Sequence, residues 1–349
     1  MRGSVLIAAG WLLLDVTPVT LWASNGQERA EAAGASLIGT PAPAVKLTTI
    51  DGQTIDLGRL YGHKAVYLKF WATWCVPCRE QMPHFEHTYE QQGSDLAVIA
   101  INAGFNDSVA DIRTYRQKLG LKMPIVLDDG SLGGALNLRV TPEHVVIGRD
   151  GKILYIGHFV DDKLETALKA ARAEPAQAAQ AVPVSMSSIS ARSAHSAPAA
   201  IALGTTLPDL SIRTTDGESL PLRDPAGSRS TVVMFLSPWC ESYLAESRPA
   251  RAAQCRSARE QSEALAKQGN ARWIGVASGL WATSEELIKY RDDNHIAIPL
   301  SIDETGATFR AFAVKEVPTF LVIDPKGRLS RRIDKVSDHL AGQLGAAIR

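Results

Sequence analysis

Residues 70–79 read FWATWCVPCR, and this stretch decides the fold of the first half of the chain. The residues that lead into it, 65–70, are mostly apolar and rich in β-branched and aromatic side chains, which predicts a buried strand. A helix is predicted from Cys75 onward. The stretch is therefore a turn from a strand into a helix, with two cysteines at the start of the helix.

Cys75 and Cys78 in that position are suited to thiol–disulfide exchange. Unpaired backbone N–H groups and the positive end of the helix dipole favour a thiolate at Cys75. Cysteines three residues apart share one helix face and can close a disulfide, while Pro77 stiffens the first turn. We predict that Cys75 attacks a substrate disulfide and that Cys78 resolves the mixed disulfide.

Two other interpretations of this pair compete with redox chemistry. Zinc also binds C-x2-C pairs, but the chain has no second such pair, and His84 and His87 follow too soon for finger spacing. A purely structural disulfide is compatible with the spacing. However, a three-residue step closes a small loop and adds little chain-entropy stabilisation, so we favour redox chemistry.

The composition sets the class of protein. A length of 349 residues favours two domains, and 45% hydrophobic with 21% charged residues is typical of globular chains. Basic and acidic residues number 37 each, so charge gives no reason to expect nucleic acid or an anionic membrane as a partner.

The N-terminal segment, residues 1–32, is typical of a secretory signal. Arg2 precedes a ten-residue apolar run at residues 5–14, which is too short to cross a bilayer. For cleavage, Ala30-Glu31-Ala32 fits the small-x-small rule but lies far downstream, whereas Ala23 has Leu21 at the −3 position. An uncleaved apolar segment is the alternative. No cysteine precedes Cys75, so we expect no lipid anchor. Export predicts a periplasmic location, where disulfides persist.

The chain contains one pattern twice. Trp74-Cys75 recurs as Trp239-Cys240 at an offset of 165 residues, and Pro142 recurs as Pro318 at an offset of 176. A period of this length indicates two homologous globular domains rather than a solenoid. The change of offset places an 11-residue insertion between Cys240 and Gly269.

These patterns divide the chain into four segments. Between the copies, Ala, Ser, Pro and Gln dominate, which predicts a flexible linker, with a short helix at its Ala-rich start as the alternative. The predicted segments are residues 1–32 (N-terminal segment), 36–172 (domain with the cysteine pair), 173–202 (linker) and 203–349 (degenerate domain).

Strands and helices alternate in the first copy. A hairpin is predicted around Asp51-Gly52, and the chain between residue 101 and Pro142 has room for one helix and its loops. We predict an α/β fold of two tandem domains, each a central mixed sheet with helices on both faces. The remaining predicted elements are strands at 96–102, 145–147 and 153–156 and helices at 107–119 and 161–171.

The motif from Phe70 to Arg79, followed by Pro83, resembles thioredoxin-like proteins of the TlpA/ResA type, and both copies share the resemblance. Those proteins are periplasmic or membrane-tethered disulfide reductases. The resemblance implies that both tandem domains have the thioredoxin-like fold. It also implies a cis bond before Pro142, with this proline and Trp74 beside the two sulfurs and a substrate pairing to the adjacent backbone like an added strand.

The chain departs from the family at two positions. Thioredoxins carry a buried aspartate where this chain has Lys69, and TlpA-type proteins usually carry glutamate where it has Gln81, with Glu80 one place earlier. Lys69 near the sulfurs would favour thiolate and make the domain more oxidising. The alternative is that Lys69 extends to solvent and has no effect on the cysteines.

The second copy has lost the pair, because Tyr243 occupies the resolving position after Cys240. On one straight helix Cys255 would lie roughly 22 Å from Cys240, but Pro249 can break that helix. A Cys240–Cys255 disulfide, redox-active or structural, is slightly favoured over two separate thiols or a lone mixed-disulfide trap, since unpaired thiols are a liability in an oxidising compartment.

We therefore predict a periplasmic thiol–disulfide oxidoreductase that acts, in the reducing direction, on protein disulfides. By resemblance, a membrane donor supplies electrons, and cytochrome or copper-site cysteines are candidate substrates. No nucleic acid, metal or cofactor is expected. Peroxide reduction is the alternative, although Leu68 and Val233 stand where a peroxidatic motif needs proline. A non-catalytic docking role is the alternative for the second domain.

Overall fold

The structure, a computed structural model, describes residues 18–173 and 200–345, with side chains from residue 25. The apolar run at residues 5–14 and nearly all of the predicted linker lie outside these residues. Within the two described ranges, no helix combines the length and apolar character that a membrane span requires.

The first sheet has five strands in the order β5-β4-β3-β6-β7. β3, β4 and β5 run parallel, while β6 and β7 are antiparallel to their neighbours. All seven residues of β3 are buried, which explains its nearly continuous apolar sequence. The strands of this unit, including a separate hairpin of β1 and β2, are Lys46–Thr48 (β1), Thr54–Asp56 (β2), Ala65–Trp71 (β3), Leu96–Asn102 (β4), Ile125–Leu127 (β5), Glu143–Ile147 (β6) and Ile153–Gly157 (β7).

Helices flank this sheet, and their ends follow from local sequence. Ser108 and Asp111 form a capping box at the start of α4, and Gly120 ends that helix with a φ of 66°, a conformation that favours glycine. The helices are Pro18–Gly34 (α1), Leu57–Leu60 (α2), Val76–Glu90 (α3), Val109–Leu119 (α4), Ser131–Ala135 (α5) and Asp162–Ala173 (α6).

The second sheet repeats the topology, in the order β12-β11-β10-β13-β14. Its elements are Ser211–Arg213 (β8), Ser219–Pro221 (β9), Thr231–Leu236 (β10), Cys240–Ser247 (α7), Pro249–Ala266 (α8), Arg272–Ser278 (β11), Ser284–Asp293 (α9), Leu300–Asp303 (β12), Ala307–Ala311 (α10), Thr319–Ile323 (β13), Leu329–Ile333 (β14) and Leu340–Leu344 (α11). The helix pair α7 and α8 stands where the first unit has α3 alone. The predicted insertion thus lengthens and breaks this helix.

The predicted α/β class with two mixed sheets is confirmed. Between β4 and Pro142, however, the chain forms β5 and α5 as well as the one predicted helix. These elements have three and five residues, which is too short for a periodic pattern to predict. The four segment boundaries stay a prediction.

The end of α1 belongs to the first folded unit. Ala30 is fully buried, and Gln27 Oε1 accepts hydrogen bonds from the backbone N–H groups of His158 (2.7 Å) and Phe159 (3.0 Å), just after β7. Arg29 forms an ion pair with Glu286 of the second unit. Residues 25–32 of the predicted N-terminal segment therefore pack as part of the fold.

Candidate active site at Cys75 and Cys78

The cysteine pair lies at the start of α3, where the sequence predicts it. Cys75 is the N-cap of the helix, and its Sγ accepts a hydrogen bond from the Cys78 backbone N–H at 3.2 Å. The two sulfurs form a disulfide with Cα atoms 5.2 Å apart. The helix N-terminus thus places a polarised N–H group on the sulfur of Cys75, where it would stabilise a thiolate.

A buried carboxylate holds the turn that precedes the disulfide. The side chain of Asp107 is fully buried and accepts hydrogen bonds from the Thr73 backbone N–H (2.8 Å), the Thr73 hydroxyl (2.6 Å) and the Asn102 amide (2.7 Å). Since these donors come from the turn and from β4, the carboxylate ties the turn before Trp74 to the sheet.

Pro142 and Trp74 lie beside the disulfide. The Thr141–Pro142 bond is cis, as the family resemblance implies, and Cys75 Sγ lies 3.4 Å from the carbonyl oxygen of Thr141. The indole N–H of Trp74 donates to the Phe105 carbonyl at 2.8 Å. All four residues predicted for the site are therefore in one place.

A polar network that the sequence analysis did not predict joins α3 to the strand after Pro142. His144 Nδ1 accepts from the Tyr67 hydroxyl (2.7 Å), and its Nε2–H donates to Gln81 Oε1 (2.8 Å). The Gln81 amide donates to the carbonyl of His158 at 3.2 Å. Gln81, which replaces the family glutamate, thus binds a histidine through its amide oxygen.

Both histidines of this network are neutral near pH 7. Burial lowers the pKa of His144 well below its ordinary value, and the nearby Lys69 lowers it further. Burial also lowers the pKa of His158 to about 4, although its Nδ1–H donates to the Pro142 carbonyl at 2.6 Å. No sequence pattern marks these residues; His144 is found only by its place two residues after Pro142.

Lys69 is fully buried, so the alternative in which its side chain extends to solvent is wrong. Its ammonium lies 5.7 Å from the centroid of the Phe85 ring and has no hydrogen-bond partner among the described residues. Desolvation lowers the pKa of Lys69 to about 7. Near neutral pH the side chain is therefore only partly charged, which weakens its capacity to stabilise a thiolate.

A buried acid lies on the other face of the sheet. Glu143 follows Pro142 directly, is fully buried, and has neither carboxyl oxygen hydrogen-bonded to a described residue. Burial raises the pKa of Glu143 well above its ordinary value, so the group is protonated and neutral near pH 7. Thr319 holds the equivalent place in the second copy, after the cis Val317–Pro318 bond.

The second copy has a different disulfide. Cys240 at the start of α7 is bonded to Cys255 in α8, with Cα atoms 6.2 Å apart. The chain turns at Arg248, the residue before Pro249, which folds α8 back on α7. Of the three arrangements that the sequence allows, the structure has the paired one. Tyr243 at the resolving position accepts the Val76 backbone N–H at 3.0 Å through its hydroxyl.

Neither sulfur of the Cys75–Cys78 disulfide is exposed. Trp74 stacks on Trp239 of the second unit with ring centroids 4.9 Å apart, and only a void of about 10 Å³ remains between these rings, Tyr243 and Trp281. The second unit therefore covers the active-site end of the first.

His84 does not face the disulfide. Its Nε2 lies 2.8 Å from a Glu165 carboxylate oxygen on α6, and this pair is partly exposed, which is consistent with a packing role for His84. In the ranges 18–173 and 200–345, no three His, Cys, Asp or Glu side chains are arranged to hold a metal ion.

Comparison with known proteins supports a redox assignment. The redoxin family profile matches residues 37–171. The thiol-disulfide oxidoreductase ResA of Bacillus anthracis is 33% identical over 136 residues, which span 38% of this chain and 77% of that protein. The thioredoxin-like protein YneN of Bacillus subtilis is 31% identical over 133 residues, 37% of this chain and 78% of that protein.

Solved structures are also similar. A thiol:disulfide interchange protein of the thioredoxin family from Chlorobium tepidum is 26% identical, with a TM-score of 0.33, over 38% of this chain and 97% of that one. A putative thioredoxin from Neisseria meningitidis is 29% identical, with a TM-score of 0.34, over 37% of this chain and 88% of that one.

Proposed function

Because this chain belongs to the redoxin family of ResA-type thiol–disulfide oxidoreductases, we propose that it reduces protein disulfides through Cys75 and Cys78. The observation that carries the proposal is the geometry at the start of α3. A backbone N–H lies 3.2 Å from Cys75 Sγ, and the cis Pro142 segment lies beside the same sulfur. This arrangement favours Cys75 as the attacking thiolate and Cys78 as the resolving thiol.

The reaction proceeds in two exchanges. The Cys75 thiolate attacks one sulfur of the substrate disulfide, which forms a mixed disulfide and releases the other substrate sulfur as a thiolate. Cys78 then loses its proton and attacks Cys75 Sγ, which frees the second substrate sulfur. Two electrons pass to the substrate, and the protein is left with the Cys75–Cys78 disulfide.

Trp74 and Pro142 act as positioning groups in this proposal. The indole of Trp74 is held by the Phe105 carbonyl, and the Thr141 carbonyl lies 3.4 Å from Cys75 Sγ. These contacts keep the disulfide against the cis-proline segment, where the backbone can bind an extended substrate segment.

The proposed direction and location rest on the family and on the N-terminal sequence. Since each turnover leaves an oxidised protein, a membrane electron donor would return it to the dithiol form. The apolar run at residues 5–14 supports export to the periplasm. By family resemblance, disulfides at the cysteines of cytochromes or copper sites are the candidate substrates.

Insulin reduction and the reduction potential test this proposal. We expect the mature protein to catalyse insulin reduction and Cys75→Ser to abolish it, while Cys240→Ser/Cys255→Ser keeps it. A reduction potential near about −270 mV supports the reducing direction, and one near about −120 mV supports an oxidant. Equal insulin reduction by wild type and Cys75→Ser would overturn the assignment of Cys75.

A non-catalytic role is proposed for the second unit. Tyr243 stands where a resolving cysteine would be, and Cys240 is bonded to Cys255, so this unit has no vicinal dithiol. The sequence leaves docking of a partner or substrate as one such role. Its position over the Cys75–Cys78 disulfide favours a role in controlling access to the active site.

A further inference from the structure

In this structure the Cys75–Cys78 disulfide is inaccessible to a reacting sulfur. Thiol–disulfide exchange requires an attacking sulfur to reach the disulfide directly. Cys75 and Cys78 are both fully buried, and the groups that close the site, Trp239, Tyr243 and Trp281, belong to the second unit. A substrate or reductant therefore reaches the disulfide only after the two units separate locally.

The second unit binds the edge beside the cis proline of the first. Trp281, in the loop after β11, donates its backbone N–H to the carbonyl of Arg139 at 2.8 Å. Its indole N–H donates to the Thr141 hydroxyl at 3.0 Å. The acceptors lie three residues and one residue before Pro142, on the segment that faces Cys75.

The first unit makes the equivalent contacts in return. Asn106, in the loop after β4, donates its backbone N–H to the Lys315 carbonyl at 2.8 Å. Its side-chain oxygen accepts from the Val317 backbone N–H at 3.0 Å. Lys315 and Val317 again lie three residues and one residue before the cis Pro318. The two units thus fill each other's cis-proline edge in a pseudo-twofold arrangement.

A partly buried ion pair adds to this contact. Arg248, at the break between α7 and α8, donates to the fully buried Asp107 carboxylate at 2.9 Å, and it also contacts the Thr73 hydroxyl and the Asn106 carbonyl. Asp107 itself holds the turn before the disulfide. The second unit is therefore bonded to the carboxylate that orders the active-site turn.

We propose that the active face of the first unit is an interaction surface whose resident partner is the second unit, and that a protein substrate must displace this partner. The proposal rests on the function assigned to Cys75 and Cys78. It makes the degenerate copy an intramolecular competitor, which lowers reactivity until a substrate binds the Arg139–Pro142 edge more strongly.

The degenerate copy is chemically suited to this role. Because Tyr243 places a hydroxyl, not a thiol, on the Val76 backbone N–H, it contacts the edge of the site without offering a sulfur for exchange. Cys240 is already bonded to Cys255. Both units belong to one chain, so the competitor is present at a high effective concentration and needs only modest intrinsic affinity.

The test measures how fast the disulfide opens. In oxidised full-length protein, the rate of Cys75–Cys78 reduction is followed against the concentration of tris(carboxyethyl)phosphine. A closed site predicts that the wild-type rate reaches a plateau set by local separation of the units. We expect Trp281→Gly and Arg248→Ala each to raise that plateau at least tenfold. Glycine suits position 281 because Trp281 has a φ of 62°.

The matched control is Arg259→Ala. Arg259 lies on α8, four residues after Cys255, but it pairs with Glu241 inside the second unit. We expect its plateau to equal that of wild type. The proposal would be overturned if the reduction rates of wild type and the three variants all rose linearly with phosphine concentration at the same slope. It would also be overturned if Arg259→Ala raised the plateau as much as the two interface variants do.

Insulin reduction separates this proposal from the proposed function. If the two interface variants are reduced faster by phosphine yet pass no electrons to insulin, the closure stands and the oxidoreductase role of the pair fails. If wild type and the variants reduce insulin equally and show no plateau, the role stands and the closure fails.

Discussion

Lys69 shows how one residue on a buried strand changes the chemistry beneath the disulfide. Its neighbour across the sheet is His144, and both side chains lie on the face of β3 and β6 that packs under α3. Tyr67, Gln81 and His158 complete the set of polar groups there. All of these groups are neutral or only partly charged near pH 7, because a cluster of buried charges of one sign would be too costly.

Replacing Lys69 should therefore change how stability depends on pH. With a folded-state pKa of about 7 against an unfolded value near 10.5, the unfolded chain binds more protons between these values. Stability of the wild type thus rises with pH from about 7 to about 10. We expect Lys69→Met to be more stable than wild type by a few kcal/mol at pH 7, because each pKa unit by which folding lowers the lysine pKa costs the folded state roughly 1.4 kcal/mol. At pH 10 the gain in stability should be much smaller.

Urea unfolding of both proteins at pH 7, 8.5 and 10 measures this difference. The exposed Lys46 provides the control, since Lys46→Met should leave the difference from wild type near zero throughout. A stability gap for Lys69→Met that is the same at all three pH values would contradict the buried, depressed pKa of Lys69.

At the scale of elements, the two copies differ in the helix that follows the strand–turn motif. α3 is one helix of 15 residues, with Pro83 inside it, whereas α7 and α8 are two helices joined at Arg248 and Pro249. The fold-back brings Cys240 and Cys255 into bonding distance, and it places Arg248 at the contact with the first unit. One broken helix thus provides both the second disulfide and part of the closure.

The Cys240–Cys255 bond should contribute measurably to stability. It links cysteines 15 residues apart, for which the loss of chain entropy in the unfolded state predicts about 3 kcal/mol. We expect Cys240→Ser/Cys255→Ser to lower the free energy of unfolding by about that amount in urea. Cys75→Ser/Cys78→Ser is the comparison, since its three-residue loop predicts about half the loss. A larger loss from the shorter loop would argue against this account.

At the scale of the whole molecule, the two units contact each other at the ends where Cys75 and Cys240 lie. α1 connects the units at a second place. Gln27 caps the backbone after β7, and Arg29 reaches Glu286 on α9. Gly26 lies so close to the His158 ring that a Cβ there would be 2.7 Å from its Nε2. The helix therefore supports the loop that carries one histidine of the active-site network.

Removal of this helix should weaken the fold. A chain that begins at Ala33 loses the burial of Ala30 and leaves the His158 and Phe159 N–H groups without their acceptor, at a cost of about 2–4 kcal/mol. A chain that begins at Asn25 keeps these contacts. We expect the shorter chain to melt several degrees lower by calorimetry. Equal melting temperatures would show that residues 25–32 contribute nothing to stability.

Local sequence was sufficient for the strand–turn–helix motif, the hairpin at Asp51-Gly52 and the repeat. These features depend on residue preferences and spacing within short windows, and the repeat places the second motif by offset alone. The cis bonds came from family resemblance, because sequence does not distinguish cis from trans proline. The short elements β5 and α5 were missed because three to five residues contain no periodic pattern.

The amino-acid sequence by itself determined the redox pair, the α/β class and the loss of the second dithiol, since each is written in neighbouring residues. Only the tertiary structure decided that Lys69 is buried, that His144 is hydrogen-bonded to Gln81, and that Trp281 is hydrogen-bonded to Thr141. Such contacts join residues 63 to 140 positions apart in the chain. They depend on which surfaces meet, and a pattern within one segment contains no information about its distant partner.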